Sequence, residues 1–297
     1  MKTNQIAGYI AGIVTGVTYG LNPLFAVPLM RHGVNVESIL FFRYFIATVL
    51  LGIWLLARKQ NFRMTGIQYS RLIILGLLFT ASSLCLFEAY RYIPSGLATT
   101  IVFLYPVLVA LIMVFLRVYP TWQVWLSIIV TFIGVVILCK NDSSEELQWT
   151  GLLLAGASAL AYAMFIVVVN RSTRIRSVPS TMLTFYALLT GSIVFFGMTL
   201  YNGHSLTAGI DSASAWLNLT GLAILPTIVS TATLAIATRI IGATKASVLG
   251  VFEPVTAILV GAIAFGEAIT TNIIIGIVLT MAAIIFMVIS SAHRSEK

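Results

Sequence analysis

The chain has 297 residues, 59% of them hydrophobic and 9% charged, with a mean hydropathy of +1.03. Soluble domains carry about 25% charged residues, so a water-soluble globule is excluded, and 22 Gly with 8 Pro also exclude a collagen-like or low-complexity chain. The net charge of +8 arises from 17 Lys and Arg against 9 Asp and Glu; the basic residues fall mostly between apolar segments, where they encode membrane topology rather than nucleic-acid binding.

A hydrocarbon core takes about 20 apolar residues per helix. Ten such segments follow one another: 6–28, 38–57, 72–91, 97–116, 122–139, 149–170, 180–201, 215–238, 246–265 and 271–290. The pattern predicts an all-α, polytopic membrane protein with ten transmembrane helices. The opening stretch, MKTNQIAGYIAGIVTGVTYG, has one Lys before an apolar run too long for a cleaved signal, and reads as a retained first helix. Gly33, Pro94, Pro120, Pro179 and Gly242 lie near links, where helices tend to stop. Only IPSG separates the third segment from the fourth. Cys85 and Cys139 make no CxxC and give little support to a disulfide or a metal site.

With the N-terminus inside, the inner loops hold thirteen Lys and Arg and the outer loops three (Arg31, Arg91 and Lys140), while Arg43 lies within the second segment. This asymmetry predicts both termini in the cytoplasm and an even number of spans.

The chain also repeats itself. Gly8, Gly12, Gly16 and Gly20 of the first segment match Gly151, Ala155, Ala159 and Ala163 of the sixth at an offset of 143, which also aligns Tyr19 with Tyr162 and Phe42 with Phe185. Further on the offset becomes 148, matching Ala89 with Ala237, Arg91 with Arg239, Ala98 with Ala246 and Pro106 with Pro254. Each copy, 6–139 and 149–290, holds five helices. An odd number forces the copies into the membrane in opposite directions, and inverted repeats are typical of secondary transporters.

The stretches FFRYF (41–45), AYRYIPSGLATTIVFLYPVLVALI (89–112) and ATRIIGATKASVLGVFEPVTAILVGAIAFGEAIT (237–270) resemble the EamA branch of the drug/metabolite transporter superfamily. The resemblance covers essentially the whole chain. It implies export of a small organic solute, such as an amino acid or related metabolite, across the inner membrane. The first copy departs from the pattern, with Val118-Tyr119 where the second has Gly266-Glu267.

Candidate site residues follow from what lipid tolerates. Asn22-Pro23, Tyr105-Pro106 and Glu253-Pro254 interrupt segments 1, 4 and 9. Proline frees a helix carbonyl, which persists where polar groups or a cavity satisfy it. Such a break is either a plain kink or part of a binding region; Tyr105 and Glu253 occupy equivalent positions, which points to the latter. Intramembrane charges cost several kcal/mol unless solvated or paired, and Arg43, Glu88 and Glu253 qualify. Arg43 and Glu88 have similar depths near the outer side, so an ion pair between them is geometrically possible, as a static pair, an outer gate or a substrate contact. Glu253 has no obvious partner at its depth, and burial alone favours its protonated form. That suits a proton-coupling or amine-binding site, or a neutral hydrogen bond to a neighbouring helix. Tyr19 and Asn22 share a face of segment 1, and Tyr162 is the repeat partner of Tyr19. These tyrosines either line a cavity or simply pack. Glu267, at a helix end, reads as a cap or as water-facing. The small-residue ridge reads as a tight helix crossing. Trp54, Trp122, Trp149 and Trp216 sit near segment ends and fit the interfacial belt.

No HExxH, GxSxG, P-loop or GxGxxG occurs, and His32, His204 and His293 have no ligand spacing. No enzyme activity and no cofactor are therefore expected. The leading expectation is a secondary transporter using alternating access, with a small-molecule substrate, membrane lipids and protons as a coupling ion for partners, and room for a homo-oligomer. An intramembrane enzyme or lipid-handling protein is the alternative.

Overall fold

The computed structural model describes residues 2–60, 62, 64–119, 121–138, 148–176 and 178–295. Pro120, Cys139 and Lys140 lie outside the described residues, as do Arg63 and Lys297, two of the thirteen inner-loop cations. Every regular element among the described residues is helical. The spans are α1 (Gln5–Arg31), α2 (Val36–Ala57), α3 (Gly66–Ala89), α4 (Ser95–Phe115), α5 (Trp122–Leu138), α6 (Trp149–Arg171), α7 (Ser180–Tyr201), α8 (Ala213–Ile241), α9 (Lys245–Phe265) and α10 (Thr271–Ser290). Among the described residues nine are long and apolar enough to cross a membrane, and α5, at 17 residues, is a shorter apolar helix.

Most span limits fall within three residues of the hydropathy pattern; α3 starts six residues earlier than its apolar run. A capping box explains the difference. Thr65 Oγ1 accepts from the Gln68 backbone N–H, and Gln68 Oε1 accepts from the Thr65 N–H, so a helix starts on the polar sequence GIQYSR. Pro94 and Pro179 stand at the N-caps of α4 and α7, while Gly33 and Gly242 have φ of 80° and 85° in links.

The packing carries the twofold relation of the copies. α2 packs on α7, α4 on α9 and α5 on α10, each helix meeting its own repeat equivalent. The remaining main contacts come in exchanged pairs: α3 with α6 and α8 with α1, α7 with α3 and α2 with α8, α9 with α1 and α4 with α6. An operation that swaps the halves maps this contact set onto itself. Both crossings carry a hydroxyl contact: Thr15 Oγ1 meets Thr233 Oγ1 at 2.8 Å where α1 crosses α8, and Ser158 Oγ donates to Ser82 O at 2.7 Å where α6 crosses α3. Thr15 and Ser158 are related by the offset of 143.

Lipid gives helices little hydrophobic reason to associate, so close approach of small faces must hold them. A Cβ on Gly16 would lie 3.0 Å from Leu249 O and 3.2 Å from Glu253 N, and one on Gly20 would collide with Glu253 O. The ridge of α1 thus brings its backbone against α9. In α6 the matching Ala155, Ala159 and Ala163 are fully buried. The α5–α10 crossing is equally close: a Cβ on Gly134 would stand 3.0 Å from Gly276 O, and one on Gly276 2.8 Å from Gly134 O.

Candidate functional site

Three spans break where the sequence places X-Pro. Helix Lys2–Gly20 gives way to Asn22–Arg31 within α1, Ser95–Val102 to Tyr105–Phe115 within α4, and Ala243–Leu249 to Phe252–Phe265 within α9. Pro23, Pro106 and Pro254 each fall in the first turn of the second piece, where a missing N–H removes no helix bond. Asn22, Tyr105 and Glu253 therefore sit at half-helix N-termini, positive ends of the backbone dipole within the spans. A fourth irregularity is the π-helical stretch Ile224–Val229 of α8, which contains Pro226.

These irregularities enclose a polar group of side chains. Tyr19, Tyr90, Tyr105 and Tyr162 all lie within electrostatic reach of Glu253, and Tyr19 and Tyr90 also within reach of Arg43. The Tyr105 and Tyr162 rings meet edge to face at 4.8 Å, and Phe79 and Phe165 flank Tyr162 at 6.5 and 6.0 Å. Asn22 Nδ2 donates to Tyr19 O at 2.8 Å, leaving its buried Oδ1 with no partner among the described residues. The Glu253 carboxyl makes neither a hydrogen bond nor an ion pair with a described residue.

Arg43 is 2% exposed. Its Nε donates to Thr227 Oγ1 at 2.9 Å, and its guanidinium lies 5.4 Å from the Phe87 ring centre and 5.7 Å from that of Tyr44. The π-helical turn supplies this acceptor: Thr227 donates its own hydroxyl to Leu222 O, five residues back, and presents its oxygen to α2. The Arg43–Glu88 pair that depth alone allows does not form. Glu88 Oε2 instead meets Arg91 Nη1 at 3.2 Å, one turn along, with the Arg91 side chain 58% exposed. Depth places residues at one level, but azimuth decides who meets, and Glu88 faces the end of its own helix.

The structure thus gathers Tyr19, Asn22, Arg43, Tyr105, Tyr162 and Glu253 and leaves Glu88 at the rim. Sequence reasoning missed Tyr90, whose hydroxyl pairs with Thr99 Oγ1 at 3.1 Å, and Thr227. Leu225-Pro226, one more intramembrane X-Pro, was the available signal for Thr227. Glu267 caps a helix other than its own: Oε1 accepts from Ser95 N at 2.9 Å and Ser95 Oγ at 2.8 Å, tying the α9–α10 link to the start of α4. Among the described residues no three His, Cys, Asp or Glu side chains gather to hold a metal ion.

Comparison with known proteins agrees with this architecture. A crystal structure of a protein with 17% identity superposes with a TM-score of 0.66, covering 99% of this chain and 98% of the other, which shows the fold. An uncharacterized transporter, sll1319 of Synechocystis sp., is 27% identical over 208 residues; the match takes in 67% of this chain and 60% of that protein's length. The model of the EamA-like transporter family matches residues 6–139 and 149–289. With both five-helix copies matched, this multi-pass membrane protein belongs to the EamA-like transporter family, and so to the drug/metabolite transporter superfamily.

Proposed function

We propose that the protein is a secondary transporter that exports a small solute bearing both a carboxylate and an amine, an amino acid or a close relative, across the cytoplasmic membrane, with both termini in the cytoplasm. The observation that carries this reading is a pair of groups of opposite kind, Arg43 and Glu253, that both lie within electrostatic reach of Tyr19. Among the described residues, Arg43 is buried with a hydroxyl and two ring faces but no carboxylate, and Glu253 has no cation. A guanidinium recognises a carboxylate with two parallel donors. Glu253, the unpartnered Asn22 Oδ1 and the tyrosine rings suit an ammonium group. A zwitterion that meets Arg43 with its carboxylate and Glu253 with its ammonium satisfies both ends at once.

Such a site couples transport to protons without further parts. The ammonium displaces the Glu253 proton toward the cytoplasm on binding, and Glu253 takes a proton from the outer side when the substrate leaves. One proton then enters per solute exported, so acid outside drives export.

Counterflow of labelled amino acids into proteoliposomes tests the reading. At least one zwitterion should exchange in the wild-type protein and not in Arg43→Gln. Glu253→Gln should still equilibrate substrate but lose its response to a pH gradient. Unchanged pH dependence in Glu253→Gln removes the coupling role. Equal transport of substrates lacking the carboxylate removes the role of Arg43.

A further inference from the structure

On the far side of Thr227 from Arg43's hydrogen bond, α2, α7 and α8 leave a groove of about 430 Å³ between them, within the roughly 300–1,000 Å³ typical of ligand pockets. Its walls are mostly apolar, with Leu50 and Trp54 of α2, Thr184 of α7 and Ala235 of α8, and its deep end reaches Thr227. Leu50 and Trp54 are 42% and 44% exposed, so the groove opens sideways, where acyl chains lie.

Each wall carries positive charge just beyond the groove, all on the side of the α2–α3, α6–α7 and α8–α9 links. In α2, Arg58 follows Trp54 by one turn and lies 5.6 Å over its ring. In α8, Arg239 follows Ala235 by one turn on the same face, and both are exposed. α7 starts at Ser180, which itself lines the groove, so its positive end faces the same mouth. Among the described residues neither Arg58 nor Arg239 forms an ion pair.

An apolar slot at membrane depth with cations at one end matches one kind of molecule. We propose that this groove binds an anionic phospholipid from the leaflet on that side. One acyl chain fills the slot toward Thr227, and the phosphate rests against Arg58, Arg239 and the start of α7. A soluble phosphate ester lacks the chain, and a zwitterionic lipid lacks the net charge. The inference stands independently of the transported solute.

Delipidated protein in detergent, titrated with phosphatidylglycerol or phosphatidylcholine of the same chains, tests it by native mass spectrometry and by the lipid-induced rise in unfolding temperature. Two cations near an anionic head group predict a preference for phosphatidylglycerol of roughly 30-fold. Arg58→Gln with Arg239→Gln should reduce it to about threefold or less, as should about 0.5 M salt on the wild-type protein; Arg117→Gln, elsewhere on the same side, should not. Thr184→Phe or Ala235→Trp, which fill the slot, should weaken both lipids at least about tenfold, and glycerol phosphate should not compete. The salt arm needs no substitution, and the two slot variants substitute for each other if one misfolds. Equal binding of the two lipids to wild-type protein, or undiminished phosphatidylglycerol binding to a filled slot, overturns the proposal.

Discussion

Thr227→Val offers a sharp test of how α8 holds Arg43. The substitution preserves shape but deletes the hydroxyl that accepts from Arg43 Nε at 2.9 Å and donates to Leu222 O at 3.1 Å. Both partners are buried, Arg43 at 2% and Thr227 at 3% exposure, so water cannot replace the lost acceptor. A hydrogen bond to a charged group is worth about 1.5–3 kcal/mol and a neutral one about 0.5–1.5 kcal/mol. The free Leu222 carbonyl recovers part of the second term within the π turn, giving an expected loss of about 2–4 kcal/mol. Thr227→Ser keeps the oxygen and loses one methyl, about 0.8 kcal/mol. Reversible unfolding in mixed micelles measures both, and a cycle with Arg43→Met should return a coupling of at least about 1.5 kcal/mol. Stabilities of the Val and Ser variants within about 0.5 kcal/mol of each other would refute the reasoning.

Gly20→Ala should destabilise the protein by about 1–3 kcal/mol in the same unfolding assay, because its Cβ meets Glu253 O and Thr256; Gly66→Ala, in open space, should be neutral or stabilising. Glu267→Ala should cost α4 its cap, about 1 kcal/mol, and raise amide exchange at residues 95–98; unchanged exchange there argues against the cap. Glu88→Gln should change stability by no more than about 1 kcal/mol, since its pair with Arg91 is a half-solvated contact one turn apart, and a loss of several kcal/mol would restore an inward role for this carboxylate.

The parts legible in the sequence are those that lipid dictates locally. Apolar runs set the spans, glycine spacing set the α1 ridge, and X-Pro marked the breaks at Asn22, Tyr105 and Glu253. The offset of 148 that pairs Tyr105 with Glu253 needed only counting. What stayed hidden depended on rotation about helix axes. Arg43 and Glu88 share a depth, yet one turns toward α8 and the other along its own helix to Arg91. Thr227 reaches Arg43 because a π turn shifts the register, which no propensity announces. Glu267 caps a helix about 170 residues away in sequence, and nothing local distinguishes that from a water-facing end.

The exchanged contacts of the two copies bear on how the chain is made. Nearly all the main packing joins one half to the other: α1 lies on α8 and α9, α3 on α6 and α7, α5 on α10. Within a half, consecutive helices touch comparatively little. The repeat is therefore a unit of sequence but not a unit of folding. During synthesis the first five spans enter the bilayer before their partners exist, with the buried faces of Gly16, Ser82 and Gly134 turned to lipid or to the insertion machinery. Their order comes only as the second half emerges. Severing the α5–α6 link should then leave two fragments that are unstable alone and that reassemble when produced together.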